Sequence, residues 1–163
     1  VLLWTRFRGS GRPVVLKAEL SDRADFRRLV ATGPAVATAD DDWTARVTLT
    51  GLPPGTRFWY RFTAPDGSRS PRGRTATLPD GLAPRLTLAA FSCSNLGFGW
   101  FNDYAHAAAD PELDLAVHLG DYLYEYPHGT YPSAADQMPG RLPDPAHATV
   151  TLADYRARYA SYR

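Results

Sequence analysis

The feature that most constrains this chain is a change of pattern at Arg85. Before it, short segments rich in valine, threonine and aromatic residues are separated by "GSGRP", "TADDD", "GLPPGT" and "APDGS". Short strands at that spacing predict a β-sandwich. Within "WTARVTLTGL", Trp43, Ala45, Val47 and Leu49 alternate with Thr44, Arg46, Thr48 and Thr50, one face inward and one outward. After Arg85 the order becomes an apolar strand "LTLAAFS", a glycine-bearing loop "CSNLGFG", a helix over residues 100–109 and a second apolar strand "LDLAVHLG". Strand, helix and strand in that order predict a βαβ unit with parallel strands. The fold class is therefore mixed: an all-β sandwich over residues 1–80, a linker at 81–85, and the first part of an α/β domain over 86–163.

Charge follows the same division. Through Arg85 the chain carries 14 basic and 8 acidic side chains, a net +6, and beyond it 4 and 9, a net −5. The basic residues are scattered, with no block longer than Arg27-Arg28, so the first part reads as a solvated sandwich surface without specific nucleic-acid binding. A single cysteine, Cys93, rules out an internal disulfide. No apolar run approaches the roughly 20 residues that span a bilayer, and no signal peptide is visible. The chain starts within a strand-like segment and ends within a helical one, so it reads as a fragment.

Chemistry concentrates at the strand ends, where ligands gather in parallel sheets. Cys93 follows the first apolar strand, and Asp121 follows the second in "HLGDYLYEY", so both are expected in one crevice. Carboxylates suit hard cations and can bridge two of them, a phenolate such as Tyr124 suits ferric iron, and a thiolate favours the same borderline metal. Tyr122 and Tyr126 would share a face with Tyr124 in an extended segment. His118, three residues before Asp121, reads as a hydrogen-bonded core histidine or as a group orienting the site. Asn95 reads either as an Asx turn or as a donor to a phosphate oxygen. His106 has a surface or packing role by default, and His128 and His147 sit in a long loop, residues 127–150, that reads as a lid or mobile insertion. In the closing "TLADYRARYASYR", Thr151 and Asp154 form a capping-box variant, and Leu152, Tyr155, Tyr159 and Tyr162 form a packing stripe.

The runs "FSCSN", "GWFNDYAHAA", "DLAVHLGDYLYEY" and "TLADYRARYASYR", in this order and behind the strand "SPRGRTATLP", make the chain similar to the PhoD-like alkaline phosphatases over nearly its whole length. The resemblance implies a fibronectin III-like sandwich followed by the N-terminal part of a calcineurin-like metallophosphoesterase domain. Leu52, Pro54 and Thr56 resemble a fibronectin-type corner, although Phe58 stands where its tyrosine is expected, with Tyr60 further along the same face. The resemblance further implies that Cys93 and Tyr124 ligate ferric iron (Fe3+) and that Asp121 bridges it to calcium (Ca2+), acting in catalysis through the metals. The implied reaction is hydrolysis of a phosphate ester, either a small phosphomonoester or phosphodiester or a phospholipid, by an activated water. It also implies a monomer exported by the twin-arginine route to the periplasm or beyond. The family's later ligands would lie beyond Arg163, so the fragment alone is expected to be inactive. Two other readings stay open: Cys93 as a nucleophile with a histidine base, and a fibronectin-like binding protein carrying a degenerate phosphatase domain.

Overall fold

Alternation decides the first of two units, Val1–Pro84 and Arg85–Arg163, in this computed structural model, which describes residues 1–9 and 11–163. Ser10, in the "GSGRP" cluster, lies outside the described residues. In the first unit, β1 (Leu2–Arg6) pairs antiparallel with β4 (Thr44–Thr48). A second antiparallel sheet has the order β3-β2-β5-β6, formed by β2 (Val14–Ser21), β3 (Ala31–Ala37), β5 (Arg57–Thr63) and β6 (Gly73–Ala76). Leu3 and Ala45 from one sheet meet Leu16, Leu20, Phe58 and Phe62 from the other in one buried cluster. Ala18, Ala35 and Ala37 are also buried there, and such small side chains let the sheets approach. The alternation expected through Trp43, Ala45, Val47 and Leu49 is present, with Ala45 and Leu49 buried and the intervening Arg46 and Thr48 exposed.

Phe58 is buried, and the turn before it is closed by the side chain of Thr77. The Thr77 hydroxyl donates to the Pro53 carbonyl at 2.7 Å and accepts from the Thr56 N–H at 2.9 Å. Tyr60 instead lies flat over Gly73, its cross-strand partner, where an added Cβ would come within 2.4 Å of the ring.

One buried charge needs its partners. Glu19 accepts from Arg61 at 2.6 Å and pairs with Lys17 at 3.2 Å. Burial opposes its ionisation, but these hydrogen bonds and charges outweigh burial and hold the carboxyl below its ordinary value. A depressed folded-state pKa contributes stability that is present above the ordinary glutamate value and is lost as pH falls through the folded one. Urea unfolding at about pH 7 and about pH 4 should therefore show an acid loss that Glu19→Gln flattens. An unchanged acid limb in that variant would exclude Glu19 as its source.

In the second unit, β7 (Leu88–Phe91) and β8 (Leu115–His118) pair in parallel, with α1 (Asn102–Ala109) in their connection. Both strands are shorter than the apolar runs suggested, and Leu88 and Leu115 are about half exposed. α2 (Leu152–Ser161) starts with a reciprocal cap: the Thr151 hydroxyl accepts from Asp154 N–H and the Asp154 carboxylate accepts from Thr151 N–H. Those backbone and hydroxyl bonds from Thr151 hold the Asp154 carboxyl well below the usual range.

The expected stripe on α2 is only half right. Leu152 and Tyr155 are exposed, whereas Tyr162 and Arg158 are buried. Loop 127–150 is not loose either, because Gln137 donates to the Gly97 and Arg141 carbonyls, Met138 N–H to the Gly97 carbonyl, and Arg141 to the Gly99 carbonyl. Gly97 permits this approach, since a Cβ there would lie 2.6 Å from Pro132. Among the described residues no helix is long and apolar enough to cross a membrane.

Candidate metal centre at the ends of the parallel strands

Pairing of β7 and β8 continues past the strands and sets the site. Leu119 N–H donates to the Phe91 carbonyl, Cys93 N–H to Gly120, and Ser94 N–H to Asp121. Cys93 and Asp121 then both adopt left-handed backbone, with φ of 59° and 51°. Neither is glycine, so each costs on the order of 1–3 kcal/mol, which the surrounding structure must offset. The double turn aims both side chains at one point. Cys93 Sγ lies 3.7 Å from Asp121 Oδ2, and the Tyr124 hydroxyl donates to that same oxygen at 3.0 Å.

The chain bends at Tyr122 and Leu123, so the shared face expected of the three tyrosines in an extended segment is lost. Tyr122 turns to His118, Tyr159 and Tyr162, with ring centroids 5.3, 5.4 and 6.3 Å away. Tyr124 instead stacks on Tyr126 at 6.1 Å and meets Tyr131 edge-on at 5.7 Å. The three therefore do not share a face.

The remaining candidates hold loops. His118 Nδ1 accepts from Gly120 N–H at 3.3 Å, which leaves Nε2 to face the Ser94 hydroxyl at 2.9 Å and the Tyr104 hydroxyl at 2.8 Å. Ser94 and Tyr104 also hydrogen-bond each other, so β8, α1 and the loop carrying Cys93 meet at one polar knot. Asn95 closes an Asx turn by accepting from Gly97 N–H at 3.0 Å, and its amide reaches the Tyr131 carbonyl. His128 is taken up by the Pro143 carbonyl and His147 by Asp154, while His106 is exposed on α1. Ser94, Tyr104 and Arg158 did not stand out in the sequence.

Beside the cluster opens a cleft of about 470 Å³, lined among others by Cys93, Asn95, Phe98, Trp100, Tyr124 and Tyr131. Desolvation comes first, then the hydrogen bonds to Cys93 and Asp121 and their negative charges, in pushing the Tyr124 phenol well above its usual value. Three groups that can each become anionic thus crowd one point, an arrangement that a cation would relieve. Among the described residues no trio of His, Cys, Asp and Glu comes together, and the third donor here is a phenol. Thiol, carboxylate and phenol are each groups that can donate to a metal ion once deprotonated, and here all three converge.

Two family descriptions match the chain in succession: the PhoD-like phosphatase N-terminal domain over residues 1–79 and the PhoD-like phosphatase over residues 88–163. The chain belongs to the PhoD-like phosphatase family. It is similar to alkaline phosphatase D of Bacillus subtilis strain 168, with 37% identity over all of this chain and 29% of that protein. The solved structure of PhoD superposes with a TM-score of 0.87 at 33% identity, covering 99% of this chain and 32% of that one. The chain therefore spans about a third of the length of the PhoD-like relatives it matches.

Proposed function

We propose that the chain supplies one side of a metal centre that hydrolyses phosphate esters, with Cys93 and Tyr124 as ligands of ferric iron and Asp121 bridging iron to calcium. The observation that carries this reading is the convergence of a thiol, a carboxylate and a phenol beside a cleft, in a member of a phosphatase family. When bound, the metals supply Lewis acidity, acidifying a water and neutralising phosphate oxygens. Without cations, these side chains would repel an anionic phosphate, and residues 86–163 add a net −5.

The chain's own residues orient and exclude. Asp121 is fixed by its backbone turn and by Tyr124, the loop carrying Cys93 is fixed by the knot of Ser94, Tyr104 and His118, and Phe98, Trp100 and Tyr131 wall the cleft. The cleft has room for a phosphate with part of its alcohol, in keeping with a small phosphate ester or a phospholipid headgroup. On this reading the first unit is a fibronectin III-like sandwich, supported by two antiparallel sheets sharing one core, and the second opens an α/β metallophosphoesterase domain. Export, with metals loaded before crossing the membrane, suits such a protein.

The test is the visible spectrum of the natively purified full-length protein, before and after chelation and in Tyr124→Phe. A charge-transfer band lost in both cases is the expected result. A colourless protein that still hydrolyses phosphate esters would remove iron and the ligand role of Tyr124. A colourless and inactive one would leave a binding module.

A further inference from the structure

Arg158 is 1% exposed, the largest side chain so deeply buried. Its guanidinium is met by main-chain carbonyls: Tyr124 and Tyr126 through Nη1, Asp144 through Nε at 3.2 Å, and Pro145 and His147 through Nη2 at 2.7 and 3.3 Å. Desolvating a charge against neutral acceptors is expensive, and an apolar side chain of similar volume would fill the space at less cost. A planar fork with five donors, however, can fix several strands of loop at once, which no apolar side chain can do. Four residues on, at the C-cap of the same helix, the buried Tyr162 hydroxyl accepts from the Tyr124 N–H at 3.3 Å. Both main-chain polar groups of Tyr124 are thus held from α2, while its phenol reaches Asp121.

We propose that Arg158, seconded by Tyr162, is a positioning residue that sets the Tyr124 phenol against Asp121 and moors loop 127–150 to the same helix. The functional consequence rests on the reading of Tyr124 as a metal ligand; the geometric claim does not. Replacing Arg158 with lysine keeps the charge but offers three donors from a single point, too few for the carbonyls it must serve.

The experiment uses the full-length protein with 3-fluorotyrosine at position 124, compared with Arg158→Lys and Tyr162→Phe in the same background. Fluorine NMR of the chelated protein reports where the phenol sits, and titration with ferric iron reports what that placement does. One narrow fluorine line is expected in the parent and a shifted or split line in both variants. Ferric iron affinity should fall roughly 10–100-fold in Arg158→Lys, as for other groups that orient a ligand, and by less in Tyr162→Phe. Folded variants with an unchanged fluorine line would overturn the proposal, and Tyr162→Phe decides alone if Arg158→Lys does not fold. A parent that binds no iron would end the metal reading, while the fluorine line would still decide the positioning role. Loss of affinity with an unmoved line would assign the effect to something other than Tyr124 placement, and the proposal would fall.

Discussion

On the proposed metal reading, Asp121→Asn in the full-length protein should lower kcat/KM for phosphate-ester hydrolysis about a thousandfold, since metal electrostatics would supply several kcal/mol and each 1.36 kcal/mol is a factor of ten. The argument depends on what this substitution leaves alone. Asparagine accepts left-handed backbone as readily as aspartate, so the φ of 51° at this position survives. Its amide oxygen can still accept from the Tyr124 hydroxyl, but the amide carries no charge with which to join two cations. Thermal unfolding should shift little while activity collapses. Activity within tenfold of the parent, in a variant with normal metal content, would remove Asp121 from the centre.

The largest effect on stability is expected in the first unit. Phe58 is 1% exposed in the cluster shared by the two sheets, and Phe58→Ala should cost about 3–5 kcal/mol. Domains are stable by only about 5–15 kcal/mol, so much of this unit's margin would go. Urea unfolding followed by near-UV circular dichroism should show an early transition with its slope retained. A loss below about 1 kcal/mol would mean that the sheets close over the gap more completely than core alanine substitutions usually permit.

Local signals carried well. The alternation ending at Leu49 and the Thr151–Asp154 cap are short-range patterns, and both are present as read. Cys93 and Asp121 each follow a strand, and parallel pairing brings them within 3.7 Å without any long-range information beyond strand order. What escaped was non-local or conformational. Tyr122 and Tyr124 part company because the chain bends at Tyr122 and Leu123, inside a run whose alternating tyrosines read as extended. Helical spacing put Leu152 and Tyr155 on the packing face and left out Arg158, because hydrophobicity ranks arginine as a surface residue. Thr77 closing the Pro53 corner, and the knot of Ser94, Tyr104 and His118, each join residues far apart in the chain.

At Asp144, Pro145 and His147 the mooring of loop 127–150 constrains the backbone and not the side chains. Arg158 meets Tyr126, Asp144, Pro145 and His147 through carbonyl oxygens, which every amino acid possesses. Side chains at those three loop positions can therefore be exchanged while Arg158 keeps its partners, whereas Gln137 and Arg141 hold the loop through their own side chains. A loop bordering the cleft could in this way acquire new chemistry, and so new substrates, without disturbing Tyr124.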